Sequence, residues 1–439
     1  MGISVPRRVS QAILGSLSAG VVPRIGLEYI AVGRKREIET ALGDLENIGE
    51  GAAAFRFIIG RYGSGKTFFL QAIRNYALEK DYVCADADLS PDKKLSGSAG
   101  HGGPGAGLAA YRELMQRLST RVRPEGGALE GLLQKWINAI QTGVIRDGYP
   151  QEDPAFASRV EWKIRETLGE MEDYAHGFDF ASVLSVYFRA FMSGEEDGKT
   201  AALRWIRGEY ATRVEAKRLL PVGEIVTGDN WYDYLKLFAA FAARAGYRGL
   251  LVFVDEGVNL YKIAHRRSRE HNYEKLLAIF NDIMQGRSPH LGFYMGGTPQ
   301  FLEDERRGLA SYPALKSRLE ESRFVRSGHA DPGSPVIRLS RLANEEIFIL
   351  LERLTEIHAL HHNYQMWIGP EEITAFLELT LSAPGAGEFI TPREITRDYL
   401  ALLNILRHEE NTDFHELIRR EDRRVRAASP EELYAAFEV

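Results

Sequence analysis

The chain has 439 residues and a mass of 49.3 kDa, enough for two to four structural units at about 100–200 residues each. Hydrophobic residues make up 44% and charged residues 26%, and 55 Lys and Arg against 61 Asp and Glu give a formal net charge of -6. This composition supports a buried core and excludes a chain that is disordered throughout.

Two features bear on where the protein works. No uninterrupted apolar run approaches the ~20 residues that cross a bilayer, and residues 1–10 lack the apolar stretch of a signal peptide. We therefore expect a cytoplasmic protein without membrane contact.

The single cysteine, Cys84, stands in an apolar run. An intramolecular disulfide and a thiolate metal cluster are thus excluded, and the Cys84 side chain is predicted to be buried.

Helical and β patterns alternate in the first ninety residues. Apolar residues recur with a helical period over 5–22, which predicts a short docking helix, and a second helix is predicted over 34–45. A β-rich run at 55–59 leads through a glycine-rich loop into a helix over 66–79, and a strand is predicted at 82–85.

The next stretch, residues 96–107, is polar and contains six glycines. We expect a mobile surface loop, poorly ordered without a partner, because glycine loses the most conformational entropy on ordering and Leu108 is the only nearby apolar anchor. From Leu108 to about Arg218 the pattern is largely helical, which is typical of an insertion or an accessory lobe.

The α/β pattern then resumes. An apolar helix at 231–245 is followed by continuous apolar strands at 250–254 and 291–295, of the kind that is buried on both faces of a parallel sheet. Strands that alternate with helices predict a parallel, doubly wound sheet. A last β run at 336–339 precedes three predicted helices, interpreted as a separate helical lid: 344–359, 370–381 and 392–407.

The most specific motif lies between the first strand and the helix that follows it. Residues 60–67, Gly-Arg-Tyr-Gly-Ser-Gly-Lys-Thr, match G-x-x-x-x-G-K-[ST] in full. In such a loop the backbone amides turn toward phosphate oxygens, Lys66 reaches the β and γ phosphates, and Thr67 ligates Mg²⁺. ATP and Mg²⁺ are therefore the expected cofactors. The predicted nucleotide contacts in and beside the loop are Gly60, Tyr62, Gly63, Ser64, Gly65, Lys66, Thr67 and Phe68.

A second motif is the apolar strand that ends in two acids, Asp255 and Glu256. At the carboxyl end of a strand, Asp255 can hold Mg²⁺ through water, so Thr67 and Asp255 are the predicted metal residues. Glu256 can polarise a water for attack on the γ-phosphate. Two acids after a buried strand are common by themselves, and the prediction depends on the phosphate loop being present.

Taken in order, these motifs resemble the AAA+ class of ATPases, and within it the initiator-like and STAND-like branches. More closely, three segments resemble the ATP-binding proteins of the bacterial BREX phage-defence system (BrxD-like). They are residues 57–70 around the phosphate loop, Asp86–Ser90, and Ile390–Glu394. The broader likeness rests on Val32-Gly33-Arg34, the strand before Asp255, Gly292–Thr298, Leu315–Leu319 and Ile337–Leu351.

The resemblance implies further site residues, each with a competing interpretation. Thr298 would be a polar sensor at the γ-phosphate, or a helix N-cap before Pro299, and both roles can coexist. Arg318 would be an arginine finger that reaches a neighbouring subunit, with Arg323 as the competing candidate and a surface arginine as the alternative for either. Arg393 would contact the nucleotide from the lid, or lie on the surface.

The resemblance also implies an α/β P-loop NTPase fold of AAA+ (ASCE-like) type, a parallel-sheet core with a helical insertion and a C-terminal helical lid. Residues 108–218 depart from a minimal core of this class and leave the strand order open. The predicted division is a docking helix at 1–30, core at 31–107, insertion at 108–218, core at 219–340 and lid at 341–439.

The implied function is ATP hydrolysis coupled to assembly. A homo-oligomer, other defence-system proteins and DNA are the candidate partners. The main alternative is a STAND-like switch with slow hydrolysis, which the turnover rate would distinguish. Two other interpretations are weaker. A helicase motor is disfavoured because the sequence contains no second core of this type. A small-molecule kinase is disfavoured because the paired acids and Arg318 would have no role in it.

Two other clusters are weaker. His358 and His362 have the i,i+4 spacing of a metal pair, but no thiol or further zinc-site signature accompanies them. Basic clusters at 265–269 and 419–426 can contact nucleic-acid phosphates, although neighbouring acids make a solvated helical face at least as good an interpretation.

Overall fold

The computed structural model falls into two compact units, each with its own hydrophobic core. The first unit comprises Met1–Ile38, Gly60–Ala72 and Arg338–Val439; the second comprises Glu39–Ile59 and Ile73–Ile337. The residues that the structure describes are 4–97, 105–320, 322, 331–365, 368–382, 390–409 and 412–419.

The strands are β1 (Ala54–Gly60), β2 (Val83–Asp88), β3 (Leu250–Asp255), β4 (Leu291–Gly297) and β5 (Val336–Leu339). The helices up to β3 are α1 (Arg7–Ser18), α2 (Leu27–Ile30), α3 (Lys35–Gly49), α4 (Lys66–Glu79), α5 (Ala106–Gln116), α6 (Leu129–Arg146), α7 (Phe156–Gly169), α8 (Gly177–Ser193), α9 (Glu196–Ile206), α10 (Arg213–Lys217) and α11 (Trp231–Arg244). The later helices are α12 (Val258–Tyr261), α13 (Arg266–Met284), α14 (Pro299–Glu303), α15 (Pro313–Leu319), α16 (Asn344–His362), α17 (Pro370–Ser382) and α18 (Pro392–His408), with a 3₁₀ turn at Leu309–Ser311.

A five-stranded parallel sheet in the order β2-β3-β4-β1-β5 forms the centre of the second unit. The pairings of β2 with β3, β3 with β4 and β4 with β1 are all parallel. Both β3 and β4 are buried along their whole length, as expected of continuous apolar strands covered on both faces. The predicted α/β class and parallel sheet are confirmed.

The strand order also indicates where this sheet can bind a ligand. The connection that leaves β1 passes β4 and β3 and enters β2 at one edge of the sheet. The connection that leaves β4 passes β1 in the opposite direction and enters β5 at the other edge. Neighbouring parallel strands whose outgoing connections diverge leave a crevice at their carboxyl ends, which is the usual ligand position in open α/β sheets. Ile59 lies opposite Gly297 at this edge, so the carboxyl ends of β1 and β4 are the expected position for a ligand.

Helix α11 joins the sheet to the helices of residues 108–218. Ten of its 14 residues are buried, as in a helix that is covered on all sides. Trp136 of α6 packs edge-on against Phe241, with ring centroids 5.0 Å apart, and Trp205 of α9 packs against Tyr234 at 5.2 Å. The helices between β2 and β3 therefore share one continuous core with the sheet.

One charged residue stands within the apolar strand β1. Arg56 is 8% exposed, and its Nε and Nη2 donate hydrogen bonds of 2.7 and 2.6 Å to the carboxylate of Asp44 on α3. Burial opposes the charge of Arg56, but the hydrogen bond and charge of Asp44, together with Tyr294 and Asp331, outweigh it and raise the pKa of Arg56. Removing one member of such a pair typically costs about 3–5 kcal/mol, so this pair fastens β1 to α3.

The core of the first unit lies among α1, α16 and α18. On α18 the buried residues Ile395, Tyr399, Leu403 and Leu406 recur every three or four positions, which gives the helix one apolar face. Ile13 of α1 is fully buried in the same core. In the part of the chain that the structure describes, no helix is both long and apolar enough to span a bilayer.

The glycine-rich loop predicted at 96–107 lies partly outside the described residues, because 98–104 are not described. Its first residues have an anchor that the sequence did not reveal. The side-chain oxygen of buried Asn272 accepts hydrogen bonds from the N–H groups of Leu95 and Ser96, at 3.0 and 2.9 Å. Leu108 is therefore not the only residue that anchors this segment.

Candidate nucleotide-binding site

The loop between β1 and α4 needs glycine for three separate reasons. Gly63 and Gly65 have φ values of 75° and 86°, which side chains with a Cβ rarely adopt. A Cβ on Gly63 would also lie 2.6 Å from Cγ2 of Thr391. A Cβ on Gly60 would overlap the hydroxyl of Ser64. The loop backbone is therefore packed closely against its surroundings.

The polar groups of this loop fit a chain of phosphates. Nζ of Lys66 donates to the carbonyl oxygens of Gly60 and Arg61, at 3.0 and 3.1 Å, so the ammonium group lies over the loop. The hydroxyl of Ser64 is buried and has no hydrogen-bond partner among the described residues. Helix α4 begins at Lys66, and the peptide dipoles at its start favour negative charge. Phosphate oxygens would satisfy all of these groups.

The remaining predicted contacts of the loop differ in exposure. Tyr62 exposes 73% of its surface, so its ring is accessible to a ligand. Thr67 is exposed in the first turn of α4, where a hydroxyl can reach a cation beside the phosphates. Phe68 is half-buried and packs against the core of the first unit, so its contribution is to hold α4 in place.

Arg34 is a residue of this site whose role sequence reasoning missed. Its Nη2 donates to the carbonyl oxygen of Ser64 at 3.0 Å, and its Nη1 donates to the hydroxyl of Ser340 at 3.3 Å. Burial lowers the pKa of Arg34, although Glu37 and Glu346 act in the opposite direction. Arg34 therefore holds the phosphate loop through the carbonyl group of Ser64. The only sequence signal was its place in the Gly33-Arg34 pair of the family resemblance.

The start of α18 lies against the same loop. Thr391 and Glu394 form a capping box: the Glu394 carboxylate accepts from the Thr391 N–H at 2.7 Å, and the Thr391 hydroxyl accepts from the Glu394 N–H at 3.4 Å. The methyl group of Thr391 is the neighbour that Gly63 approaches. Arg393 is exposed in the first turn of α18. Arg393, which lies outside the phosphate loop, is thus carried by helix α18, and the start of this helix contacts the loop.

The two acids belong to the second unit, at the end of β3. Asp255 is buried, and its Oδ1 accepts from the N–H of Glu256 at 2.8 Å. Glu256 is exposed and has a φ of 58°, a left-handed conformation that is unfavourable for a residue with a side chain. The next residue, Gly257, donates from its N–H to the carbonyl of Gly296 on β4 at 2.9 Å. The turn after Asp255 is thereby tied to the neighbouring strand and directs Glu256 outward.

Thr298 and Arg318 also lie in the second unit. Thr298 is the N-cap of α14, because its hydroxyl accepts from the N–H of Phe301 at 3.2 Å. This confirms the capping role and leaves the sensor role open. Arg318 is exposed on α15, and its Nε donates to the side-chain oxygen of Asn281 at 2.9 Å. The competing candidate, Arg323, lies outside the described residues.

Three other predictions concern residues away from this site. Cys84 is buried, as predicted, and burial raises the pKa of its thiol to about 12, so it is an unreactive core residue. Within the described ranges, no group of three or more His, Cys, Asp or Glu can hold a metal ion. In the basic cluster at 265–269, Arg269 donates to the Ile263 carbonyl and Arg266 pairs with Glu270. Of the cluster at 419–426, only residue 419 is described.

A parallel five-stranded sheet with helices around it and a glycine-lysine loop after β1 fits an α/β fold of the NTPase type. The chain belongs to the family of BREX system ATP-binding proteins BrxC/D, whose family model matches residues 5–422, nearly the whole length. No curated protein matches the chain. As a member of this family it is an ATP-binding component of the BREX defence system, a system of several proteins.

Proposed function

We propose that this protein is a Mg²⁺-dependent ATPase of AAA+ type, which converts ATP and water to ADP and phosphate. The observation that carries the proposal is the phosphate loop itself. It combines an ammonium group over the loop, a buried hydroxyl that has no partner among the described residues, and glycines that let the backbone amides approach a ligand. Family membership supplies ATP as the ligand.

The hydrolytic step needs groups that a mere ATP-binding protein does not need. The carboxylate of Glu256 would accept a proton from the attacking water, whose oxygen bonds to the γ-phosphorus while the bond to the β–γ bridging oxygen breaks. Thr67 and Asp255 would hold Mg²⁺, Asp255 through water, and oxygen ligands of this kind suit that cation. When bound, Mg²⁺ neutralises the negative charge that develops on the phosphate oxygens.

The backbone of Glu256 supports this assignment. Left-handed residues with side chains persist only where the surrounding structure holds them, and they cluster at functional sites. At the end of β3 this conformation directs the carboxylate out of the sheet edge at which parallel strands present ligand-binding residues.

Three residues complete the proposed mechanism. Thr298 would contact the attacking water or the γ-phosphate while it continues to cap α14, and Arg393 would contact the nucleotide phosphates from α18. Arg318 would act as an arginine finger in the site of a neighbouring subunit. A finger supplied in trans requires a homo-oligomer, and we infer that nucleotide controls its assembly.

The proposed roles of larger segments follow from these assignments. Residues 341–439 would form a lid that carries Arg393, residues 108–218 a helical insertion, and residues 1–30 a docking segment. Other BREX proteins are the partners of the assembled state, and DNA is a further candidate. Solution mass measured with and without ATP and Mg²⁺, with DNA added in parallel, tests assembly and DNA binding together.

Two substitutions separate binding from hydrolysis, and they form the central test. Lys66→Ala should remove most ATP binding, because it deletes the charge that faces the β and γ phosphates. Glu256→Gln should keep ATP binding and lose hydrolysis, because a neutral amide cannot take a proton from water. The measurements are nucleotide titration by calorimetry and release of inorganic phosphate.

Two surface residues of the same chemical types serve as controls. Lys80 just beyond α4 pairs with Glu46 at the surface, and Glu274 is exposed on α13. Lys80→Ala and Glu274→Gln should leave binding and turnover unchanged. If Glu256→Gln hydrolyses ATP at the parent rate, the water is activated elsewhere. If the parent chain binds ATP but turns over slowly even when assembled, the STAND-like switch is the better description.

A further inference from the structure

A cavity in the first unit is lined by none of the residues that we propose to bind ATP. Its volume is about 480 Å³, and it opens where the start of α1 meets the ends of α16 and α18. This volume falls in the usual range for small-molecule pockets, about 300–1,000 Å³. The polar residues that line it are Arg7, Ser10, His361, His362, Asn363 and Arg407.

Hydrogen bonds link these residues to one another. The Ser10 oxygen lies 3.0 Å from the carbonyl of Arg7 and 2.9 Å from Nδ1 of His361; when its hydroxyl donates to that carbonyl, its oxygen accepts from Nδ1–H. Nη1 of Arg407 lies 2.7 Å from Nδ1 of His362. Because a guanidinium can only donate, Nδ1 of His362 is the acceptor and its hydrogen is on Nε2. Arg7, Arg407 and Nε2–H of His362 thus remain as donors for a ligand, whereas Nε2 of a neutral His361 is an acceptor.

The charged side chains that line the cavity are all cationic. No carboxylate belongs to the described residues that line the cavity. Burial lowers the pKa of His362 to about 4, and the neighbouring cationic or imidazole groups that add to this are His358, Arg407, His361 and His408. Among the described residues, no carboxylate acts on the ring in the opposite direction. Two exposed guanidinium groups, Arg7 and Arg407, therefore border a concave site that has no counter-charge among its described lining residues.

We propose that this cavity is an anion site that binds the phosphate group of a small molecule, separate from the phosphate loop. Guanidinium groups present paired donors that match phosphate oxygens. His362 can add an Nε2–H donor. A bound phosphate would neutralise the two arginines and favour the protonated form of the imidazole beside it. The site is concave, which favours a small phosphate-bearing molecule over the backbone of a duplex.

The test is a titration of the full-length chain, labelled with ¹³C at the histidine Cε1 positions, and followed by NMR. The probes are inorganic phosphate and AMP, with acetate and chloride at matched ionic strength. Phosphate should raise the pKa of His362 by ~1 or more, as expected for an opposite charge within a few ångströms. AMP should produce the same shift if an organic phosphate is accepted. The shift should persist in Lys66→Ala, whose phosphate loop is disabled.

Variants decide whether the cavity is responsible. Arg407→Ala should weaken phosphate binding by ~10-fold or more, as expected for the loss of a charged hydrogen bond, and Arg407→Lys should weaken it less. Arg397→Ala is the matched control, since Arg397 is an exposed arginine of α18 that pairs with Asp398. Thermal unfolding establishes that each variant is folded.

Three outcomes would overturn the proposal. They are a chloride or acetate response equal to that of phosphate, a response that is unchanged in folded Arg407→Ala, and no response of His362 at millimolar phosphate. A response that disappears in Lys66→Ala would also overturn it, because the phosphate would then act through the nucleotide loop. The ATPase proposal would survive each of these results, since its own test rests on Lys66 and Glu256.

Discussion

At the end of β3 the backbone of Glu256 adopts a left-handed conformation, which costs a residue with a β-carbon roughly 1–2 kcal/mol. Asparagine tolerates this conformation much better, because its short side chain can bond locally. We therefore expect Glu256→Asn to raise the free energy of unfolding by ~0.5–1 kcal/mol while it abolishes ATP hydrolysis. Urea unfolding and phosphate release measure the two effects.

Glu256→Gln is the control for this gain in stability. It removes the carboxylate but keeps a long side chain in the same backbone conformation, so its stability should stay near that of the parent chain. Equal stability of the Asn and Gln variants would show that the backbone at position 256 is not strained in solution. Hydrolysis by the Asn variant would show that the carboxylate is not the base.

Arg34 provides a second prediction at the scale of single residues. It holds the carbonyl of Ser64 in the phosphate loop and also bonds to Ser340, so its loss should loosen the loop without removing any proposed phosphate contact. Arg34→Ala should weaken ATP binding by ~10-fold, the value of one charged hydrogen bond. Arg34→Lys should recover only part of this, because an ammonium cannot reproduce a planar fork.

The adjacent Lys35 serves as the comparison for Arg34, since it is exposed at the start of the same helix. Lys35→Ala should leave ATP affinity within about two-fold of the parent. If both variants lose affinity equally in calorimetric titrations, the effect is one of general charge rather than of support for the loop.

Among the elements, the last turns of α16 make the stability of the protein depend on pH. Burial lowers the pKa of His358 and of His362, that of His362 to about 4, whereas an unfolded histidine titrates near 6.5. Below pH ~6.5 the unfolded chain therefore binds more protons than the folded one, and stability falls as the pH falls toward 4. Urea unfolding at pH 7, 6 and 5 should show this loss, in a range where most carboxylates remain ionised.

The two histidines can be tested individually. His362→Asn should flatten the pH dependence between pH 7 and 5, whereas replacement of the exposed His271 on α13 should leave it unchanged. His358 is buried between Tyr364 and Asn404, so its replacement also removes two hydrogen bonds and is a less clean test. A parent chain with constant stability over this range would contradict the prediction.

For the whole molecule, the arginine-finger role that we propose for Arg318 predicts that hydrolysis requires assembly. A finger arginine stabilises charge on the γ-phosphate during transfer, whereas one subunit can bind nucleotide alone. Turnover per subunit should therefore rise with protein concentration. Arg318→Ala should lower turnover by ~10³-fold or more and keep ATP affinity within a few-fold of the parent.

Mixing experiments separate action in trans from action in cis. Arg318→Ala subunits keep an intact site, and Lys66→Ala subunits keep the arginine, so a mixture should regain activity that neither variant has alone. A mixture that co-assembles but stays inactive, or normal hydrolysis by Arg318→Ala alone, would exclude Arg318 as the finger. Arg323 would then be the residue to test.

Elements that depend on local residue patterns could be predicted from the sequence: the phosphate loop, the buried strands and helix α18. The phosphate loop was recognisable because its local backbone conformation requires particular residue types at a fixed spacing. The apolar strands at 250–254 and 291–295 were predictable because a strand buried on both faces needs apolar residues at every position. Helix α18 was predictable from its helical period and from the Thr391-Pro392 start.

Contacts between distant residues could be seen only in the folded chain. Arg34 bonds to the phosphate loop, Thr391 lies against Gly63, and the helices after β2 lead back to the adjacent strand β3. These contacts join segments tens to hundreds of residues apart, and no periodicity within a segment specifies its partner. The sequence did not predict the left-handed backbone of Glu256 for the same reason. The hydrogen bond from the N–H of Gly257 to β4 is a long-range contact, and it holds the turn after Asp255 in place.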